Sequence, residues 1–474
     1  MKQQIIQEVS VALDLLQGER AAQESARTPQ FLRLLFAALE EAGVRYCVLH
    51  SWGRLPQELA TDLDLAVHPD DLATFEQIFE RLREAGFAPV QRLNYAVSAY
   101  FYIFAWFEGT RLRNVCVDVI TEHRRNSLIL MSGSDLLAGR HRSDCFWVAS
   151  PAVELHYLLA KKVLKKVLPE HQGGRLKELA FVLGRAKTEA ISADLFGREV
   201  APRIADACVE GSFGELIPRL RSKIWLSKVS RNLWSVGRGL IQDFVRRVRR
   251  WFSPTGLFVV ILGPDGVGKS TAISESIRTL SALFRREKVF HWRPMLLGKR
   301  PESGPVTDPH GRAPHSKWWS LARLCLHVLD YWLGYCVVLR PLLARTGLVV
   351  FDRYYHDVAV DPERYRYGGP LGAARAVQSW IPKPDMWLVF DAPADLIHSR
   401  KQEVTREELQ RLRREYLRCF HKLSPSWLID CKRDTDGVRL QVESAAVELL
   451  AERYQHRYGS RRRLDVTRGL QMRG

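Results

Sequence analysis

The stretch Leu257-Phe-Val-Val-Ile-Leu262, followed at once by Gly263-Pro-Asp-Gly-Val-Gly-Lys-Ser-Thr271, decides the fold of the C-terminal half of the chain. Six consecutive apolar residues are typical of a strand that is buried on both faces of a parallel sheet. The next nine residues match the pattern GxxxxGK[ST], whose glycines let the backbone curl so that successive N–H groups point at one phosphate. Apolar residues then recur at helical spacing, so the sequence predicts a strand, a phosphate-binding loop (P-loop) and a helix.

The residue types of this loop predict a site for a nucleoside triphosphate. Lys269 would place its mobile ammonium group against the β and γ phosphates, and Ser270 would offer its hydroxyl to Mg²⁺. ATP and Mg²⁺ are therefore the expected cofactors. The alternative is a glycine-rich turn with a solvated lysine, which is less favoured because strand, loop and helix agree. The predicted nucleotide-binding residues of the loop are Gly263, Pro264, Asp265, Gly266, Val267, Gly268, Lys269, Ser270 and Thr271.

Length and composition predict a folded protein of several domains. A chain of 474 residues is too long for one hydrophobic core. Its eight cysteines form no CxxC pair, which favours reduced thiols over disulfides or zinc. The N-terminus lacks the apolar core of a signal peptide, and no apolar run approaches the length of a membrane span. We therefore expect a cytoplasmic protein.

The formal net charge of +18 calls for an anionic partner, and part of it lies in one segment. Between Arg219 and Arg250, lysine and arginine alternate with apolar residues, and Asp243 is the only acid. Such a segment, residues 219–252, can lie on an anionic membrane surface or on phosphate-rich ligands. The alternative is a helix packed between domains with solvated arginines. Charge alone also leaves nucleic-acid binding open, although we consider it less favoured; its signature would be a steep salt dependence.

The pattern along the chain predicts an α/β protein in four parts. The C-terminal part is expected to have a P-loop NTPase-type parallel sheet, and the N-terminal part an α+β fold. The predicted boundaries are 31–216 for the N-terminal domain, 217–253 for a basic helical connector, 254–457 for the P-loop domain and 458–474 for a disordered basic tail.

Charged residues follow two further predicted strands of the C-terminal part. The run Leu348-Val-Val-Phe ends in Asp352 and Arg353, which should face the phosphates because carboxyl ends of parallel strands line the ligand crevice. Arg353 offers a planar fork for a phosphate, and Asp352 could organise Mg²⁺ or hold Arg353 in place. Arg400 and Arg406 lie after the strand that ends at Asp391 and are predicted to contact the triphosphate; solvated arginines are the alternative.

Residues 254–455 resemble the thymidylate kinase family of P-loop phosphotransferases. The resemblance rests on the loop with its internal Asp265, on Asp352-Arg353-Tyr354, on Pro384-Asp385 and on the arginine-rich stretch that ends at Tyr416. It implies that Asp265 helps to organise the acceptor and the metal, and that Arg353 binds the acceptor phosphate. With Lys269 and Asp352, these are the predicted catalytic residues.

The acceptor half departs from the family pattern. Leu262 stands where the family usually has Glu, and Tyr331 stands where the arginine that helps to hold the pyrimidine is expected. An insert from His291 to His310 adds His, Trp and Arg. Because hydrogen-bonding sites reject ligands that leave their groups unpaired, these changes predict a different acceptor, such as a sugar, glycan or lipid-linked phosphate.

The N-terminal part contains a second, less specific pattern of acidic residues. Asp62 and Asp64 lie on one face of a predicted strand, and Asp118 on a neighbouring strand could complete a three-carboxylate Mg²⁺ site. This arrangement resembles the nucleotidyltransferase superfamily over about residues 31–170, except that His50-Ser51 replaces the expected pair of small residues. Inert remnants or strand-end caps are the alternative.

The favoured hypothesis is an ATP- and Mg²⁺-dependent phosphotransferase that transfers the γ-phosphoryl group to a nucleoside monophosphate or to another small-molecule or glycan acceptor. Two rivals remain open. One is a P-loop ATPase or sensor, which would form ADP without an acceptor. The other is a nucleotidyltransferase with a regulatory kinase-like half, which would release pyrophosphate in a reaction that depends on Asp62.

Overall fold

The computed structural model describes residues 27–125, 128–163, 170–211, 213, 220, 233–297, 313–402 and 404–459. Within these residues the chain divides into two compact units. The first comprises residues 27–106, 113–247 and 454–459, and the second comprises 107–112 and 248–453. The tail predicted over 458–474 lies outside the described residues from 460 onward, and so do residues 217–219 and 221–232 of the predicted connector.

The first unit contains the strands β1 (Tyr46–Val48), β2 (Leu63–Val67), β3 (Ala88–Ala96), β4 (Ala99–Glu108), β5 (Arg111–Ile120), β6 (His123–Arg125), β7 (Leu128–Met131), β8 (His141–Ser143) and β9 (Phe146–Val148). Among the described residues, β3-β4-β5-β2-β1-β9-β8 form one sheet in that order, and β6 pairs with β7. The pairs β2–β5 and β1–β9 are parallel, whereas β1–β2 is antiparallel. Strand β2 is buried throughout, which places its residues at the centre of this mixed sheet.

Helices pack beside these strands and in a separate helical cluster. The cluster is held by apolar residues such as Leu155, Leu176 and Ile204. The helices of this part are α1 (Thr28–Glu41), α2 (Leu72–Gln77), α3 (Phe79–Glu84), α4 (Gly133–Leu137), α5 (Pro151–Leu158), α6 (Glu170–Leu183), α7 (Arg185–Phe196), α8 (Ala201–Glu210) and α9 (Leu233–Phe252).

The second unit contains the strands β10 (Leu257–Leu262), β11 (Arg286–His291), β12 (Gly347–Asp352), β13 (Met386–Asp391) and β14 (Ser426–Asp430). They form a sheet in the order β11-β12-β10-β13-β14, and every neighbouring pair is parallel. Strand β10 is buried along its whole length at the centre. The parallel α/β sheet predicted for this half is therefore present, and the carboxyl ends of its strands meet at one edge.

Helices connect the parallel strands, as crossover geometry requires. They are α10 (Lys269–Leu280), α11 (Lys317–Gly334), α12 (Arg340–Ala344), α13 (Asp357–Val360), α14 (Leu371–Val377), α15 (Ala394–Arg400), α16 (Arg406–Phe420) and α17 (Thr435–Tyr458). The core between sheet and helices is largely aromatic: Phe351 stacks on Phe290 at 4.8 Å, and Tyr331 packs edge-on against Tyr354 at 4.8 Å.

Helix α9 carries the described part of the basic connector. Apolar side chains such as Ile241, Phe244 and Phe252 are exposed on it, and arginines such as Arg247 and Arg249 lie between them. The helix expected there is present, and its anionic partner stays a prediction.

The segment Lys317–Ala344 is long and apolar enough, by length and composition, to cross a membrane. The prediction that no uninterrupted apolar run approaches the length of a membrane span is not contradicted by this segment, because polar residues such as Arg323 and Asp330 interrupt it. Its inner residues, including Leu324 and Tyr331, pack into the core of the second unit, as those of a core helix do. Length and composition alone are weak grounds for a membrane span.

Candidate functional site

The phosphate-binding loop joins β10 to α10 at the carboxyl edge of the sheet. Gly263, Gly266 and Gly268 have φ angles of 147°, 80° and 108°, which L side chains rarely adopt. A Cβ atom on Gly263 would lie 2.8 Å from the carbonyl oxygen of Phe390, and one on Gly266 would lie 2.9 Å from the Cβ of Lys401. The backbone conformation therefore favours glycine at all three positions, and close packing requires it at Gly263 and Gly266.

Lys269 folds back over the loop instead of projecting freely. Its Nζ donates hydrogen bonds to the carbonyl oxygens of Gly263 at 2.7 Å and Pro264 at 2.8 Å, and only 6% of the side chain is exposed. Burial lowers the pKa of Lys269 to about 8. In this structure Lys269 therefore also holds the loop together.

Asp265 lies between two arginines. Its carboxylate pairs with the guanidinium groups of Arg353 and Arg364, and one oxygen is 3.7 Å from Lys269 Nζ. The predicted catalytic residues Asp265, Lys269 and Arg353 thus lie together. Arg364 was missed as a site residue; the signal for it was its place in the charged segment that follows Asp352-Arg353-Tyr354.

Arg353 is held in an unusual backbone conformation. Its φ is 75°, in the left-handed region, and its side chain is 6% exposed. The turn is fixed by Asp357, which accepts hydrogen bonds from the backbone N–H of Tyr354 at 2.9 Å and from the hydroxyl of Tyr416 at 2.6 Å. The buried Asp357 and Tyr416 therefore aim the guanidinium of Arg353 towards Asp265.

Asp352 ends β12 directly opposite Ile261 of β10. Its Oδ2 is 3.5 Å from His291 Nδ1, and its Oδ1 is buried without a hydrogen-bond partner among the described residues. Burial would raise the pKa of Asp352, but the hydrogen bond from His291 and the charge of Lys269 outweigh it and lower the pKa. An ionised carboxylate with one unused oxygen next to the phosphate loop is therefore present.

Arginines of the α15–α16 region lie in two different surroundings. Arg400 lies against the phosphate loop: its guanidinium nitrogens are 3.3 Å from the carbonyl oxygens of Val267 and Cys431. Arg406 pairs with Asp395 at 3.2 Å, and both side chains are mostly exposed. The structure therefore brings Arg400, but not Arg406, to the loop.

A cleft opens beside Pro264 and Asp265 of the phosphate loop. Cations on its walls come from three separate segments, and Leu409, Leu412 and Tyr416 of α16 supply its apolar wall. The other lining residues are Pro264, Asp265, Arg353, Asp361, Arg364, Lys401 and Val404.

Asp330 shapes the segment after β11, where an acceptor is expected. It is fully buried, and its two oxygens accept hydrogen bonds from the backbone N–H groups of Met295, Leu296 and Leu297 at 3.2, 2.8 and 2.7 Å. The neighbouring Tyr331, which stands at the position expected for an arginine, donates its hydroxyl proton to the carbonyl of Trp292. Asp330 and Tyr331 of α11 therefore fix the backbone of the segment that follows β11, and this part of the helix offers no guanidinium group to a base. The rest of the insert, residues 298–310, lies outside the described residues.

The N-terminal acids surround a lysine. Asp64 on β2 stands opposite Asp118 on β5, as predicted, but Lys161 Nζ lies 2.5 Å from Asp64 Oδ1 and 3.3 Å from Asp118 Oδ2. His50 Nε2 is 2.8 Å from the other oxygen of Asp64, and Asp62 is exposed just before β2. Among the described residues no group of three or more His, Cys, Asp or Glu is arranged to hold a metal ion.

Burial and the nearby Lys161 have opposite effects on the pKa values of Asp64 and Asp118. Burial would raise the pKa of Asp64, but Lys161 and His50 hold it well below its usual range. Burial raises the pKa of Asp118, against the opposing effect of Lys161. Lys161 lies on the π-helical turn Leu159–Val163 that continues α5, far from both acids in sequence. The ammonium group takes the place that the three-carboxylate hypothesis gave to a metal.

We expect Lys161→Met to destabilise the first unit by about 3–5 kcal/mol at pH 7, because it leaves two buried carboxylates without their cation. The pKa of Asp64 is lowered in the folded state, so its contribution is present above the unfolded pKa and is lost as pH falls through the folded one. The deficit should therefore stay complete from pH 7 down to about pH 5 and shrink only as pH falls below about 4, the unfolded pKa of an aspartate.

Hydrogen exchange of β2 and β5 in urea measures this effect on the first unit alone. Lys177→Met, which changes an exposed lysine on α6, is the matched control. Equal protection in the two variants would contradict a stabilising role for Lys161.

Comparisons with known proteins identify one region of similarity. The thymidylate kinase of Xanthomonas campestris pv. campestris (strain B100) is 28% identical over 214 residues, which cover 42% of this chain and 87% of that protein. The thymidylate kinase of Bordetella pertussis (strain Tohama I / ATCC BAA-589 / NCTC 13251) is 28% identical over 227 residues, covering 42% of this chain and 99% of that protein. No protein-family model matches the chain. The chain thus contains a thymidylate kinase-like region, which supports a nucleotide kinase-like function.

Proposed function

We propose that the second unit is an ATP-dependent kinase that transfers the γ-phosphoryl group of ATP to a phosphate group of its acceptor. The observation that carries this proposal is the meeting of Lys269, Asp265, Arg353 and Arg364 beside one cleft. Phosphoryl transfer depends mainly on positioning and on stabilising charge that spreads over the transferred group, and these side chains supply both. The similarity to thymidylate kinases supports the same conclusion.

The proposed roles follow from position. The N–H groups of the loop and Lys269 hold the triphosphate, and Arg400 neutralises charge from above the loop. Arg353 and Arg364 hold the acceptor phosphate, and Asp265 keeps the two guanidinium groups in place until the acceptor arrives. An acceptor phosphate oxygen attacks the γ phosphorus, the bond from this phosphorus to the β–γ bridging oxygen breaks, and ADP leaves.

Mg²⁺ fits the donor set of this site. The hydroxyl of Ser270 is exposed at the start of α10, and Asp352 has an ionised carboxylate with one unpartnered oxygen among the described residues. Hard oxygen donors of this kind hold Mg²⁺ together with phosphate oxygens. The ion would neutralise charge on the β and γ phosphates.

The acceptor class is proposed from the residues around Arg353. A nucleoside monophosphate agrees with the similarity to thymidylate kinases. The replacement of the expected arginine by Tyr331, which is used inside the fold, favours an acceptor other than thymidylate, such as a sugar, glycan or lipid-linked phosphate.

The test is formation of ADP from labelled ATP with Mg²⁺, measured with and without nucleoside monophosphates, sugar phosphates and glycan extracts. We expect ADP formation to require one acceptor class, with the label recovered in that acceptor. ADP formation that is independent of every acceptor would indicate an ATPase, and release of pyrophosphate abolished by Asp62→Ala would indicate a nucleotidyltransferase.

A further inference from the structure

A group of basic side chains in the second unit is not used by the transfer reaction. Arg293 follows β11, Arg323 and His327 lie one turn apart on α11, and His315 and Arg366 lie in the segments beside them. We call these five residues the cationic cluster. Mutual electrostatic effects link them: Arg293 and Arg366 act on Arg323, and Arg323 acts on both histidines.

Aromatic rings connect this cluster to the proposed acceptor site. The ring centre of Trp292 is 5.0 Å from that of His327 and 4.8 Å from that of Tyr365. The guanidinium of Arg293 lies 5.4 Å from the same indole, and Tyr365 lies close enough to Arg353 to interact with it electrostatically. The backbone N–H of Trp292 donates to the carbonyl oxygen of Asp352 at 3.0 Å. The cluster therefore continues the site at the carboxyl edge of the sheet.

Polar atoms of the cluster and of the neighbouring Trp292 are buried without partners in the part of the chain that the structure describes. They are Nδ1 of His327, which is 7% exposed, Nε1 of Trp292 and Nε of Arg293. Buried polar atoms without partners are costly, and Nε1 of Trp292 and Nε of Arg293 are donors, so their concentration at one place points to a ligand that supplies acceptors. Asp330, the carboxylate 3.4 Å from Arg293, already accepts three backbone hydrogen bonds.

Like charges are also crowded here. Burial, Arg293 and Arg366 lower the pKa of Arg323, and burial with Arg293 and Arg323 lowers the pKa of His327 to about 3. A neutral His327 can share a hydrogen bond with an anion, while the arginines supply charge. A bound anion would relieve the repulsion that these shifts report.

We propose that the acceptor carries a second phosphate group, and that Arg293, Arg323 and Arg366 bind it while Arg353 and Arg364 hold the phosphate that receives the γ-phosphoryl group. This inference rests on the proposed function and narrows its substrate class to bisphosphorylated acceptors. The rings of Trp292 and Tyr365 lie between the two phosphate positions and suit a sugar or a base.

Calorimetry with two matched pairs of probes tests the proposal. The pairs are thymidine 3′,5′-bisphosphate with thymidine 5′-monophosphate, and glucose 1,6-bisphosphate with glucose 6-phosphate. In at least one pair we expect the bisphosphate to bind about tenfold tighter or more, since guanidinium–phosphate hydrogen bonds are among the strongest available.

Variants of the cationic cluster test whether it causes the tighter binding of the bisphosphate. Arg323→Ala should remove the gain and leave the monophosphate affinity within about twofold, whereas Arg323→Lys should keep part of it because it retains the charge. Arg375→Ala, which changes an exposed arginine on α14, should keep all of it. No gain in either pair with the wild-type protein, or a gain that persists in Arg323→Ala, would overturn the proposal.

ATP affinity in the same samples separates the two proposals. ATP binding without a bisphosphate gain rejects only the second phosphate site. Failure of the wild-type protein to bind ATP rejects the proposed function itself.

Discussion

Replacement of Lys269 by methionine is expected to lower the rate of ATP turnover by about 100-fold or more. Lys269 is the buried cation of the phosphate loop, and a preorganised donor in a dry site typically contributes on the order of 10²–10³ in rate. Methionine keeps much of the apolar stem, so the change removes mainly the charge and its hydrogen bonds. Steady-state assays of ADP formation measure the loss.

The same substitution has a structural cost that must be measured alongside. The carbonyl oxygens of Gly263 and Pro264 lose their donor, which should lower the free energy of unfolding by about 1–3 kcal/mol. Lys383→Met, which changes an exposed lysine just before β13, is the control and should leave turnover and stability nearly unchanged. Turnover that persists in a folded Lys269→Met protein would refute the assignment of the loop.

The pH dependence of ATP binding gives an independent check on Lys269. Its pKa is lowered to about 8 by burial, and a triphosphate binds the protonated ammonium form better. Affinity should therefore weaken as pH rises through about 8, by up to about tenfold at pH 9, where about nine-tenths of the lysine is neutral. The Lys269→Met protein should show no such weakening over the same range, because the titrating group is absent. Parallel pH profiles for the two proteins would contradict the lowered pKa.

The phosphate loop could be predicted from the sequence because its signals are local. Six buried residues of β10, the glycines with positive φ and the lysine that begins α10 are contiguous, so short-range patterns contain nearly all the information. The same holds for Asp352 and Arg353, which end a buried strand. The parallel neighbours of β10 place these residues beside the loop, as the carboxyl-edge rule anticipates.

For the N-terminal acids, the sequence predicted their positions on the strands but not the group that they contact. Asp64 and Asp118 do face each other across β2 and β5, which strand pairing predicts. Lys161, however, reaches them from a helix 97 residues beyond Asp64, and no local pattern shows that a helical lysine will point into a sheet. Three acids in sequence therefore predicted a metal, whereas the fold brings an ammonium group between two of them.

In the acceptor region, too, contacts between residues distant in sequence could not be predicted from local patterns. Asp330 is buried and accepts hydrogen bonds from three backbone N–H groups after β11. These contacts depend on how the chain after β11 packs against α11. The pairing of Arg364 with Asp265, across 99 residues, is likewise a tertiary event. Resemblance indicated that this half differs from thymidylate sites, but only the packed structure shows which side chains remain for a ligand.

Removal of the Arg353 guanidinium is expected to raise the KM for the acceptor by about 10- to 100-fold while the KM for ATP changes by less than about threefold. Charge-assisted hydrogen bonds to a phosphate contribute about 1.5–3 kcal/mol, which corresponds to this range. Arg353 lines the cleft and pairs with Asp265, whereas in the proposed function ATP is held by Lys269 and the loop amides. The measurement is a pair of saturation curves for the Arg353→Ala protein, one with each substrate varied.

Two further variants show whether the effect comes from the fork of Arg353 or from general loss of positive charge. Arg353→Lys keeps the charge but loses the planar bidentate geometry, so it should recover only part of the acceptor affinity. Arg375→Ala removes one exposed positive charge from the same unit and should change neither KM. Asp265 retains Arg364 as a partner in every variant, so the loop itself should stay in place and ATP binding should survive. Equal increases in both KM values for Arg353→Ala would mean that Arg353 supports the nucleotide loop, and its assignment to the acceptor would then be wrong.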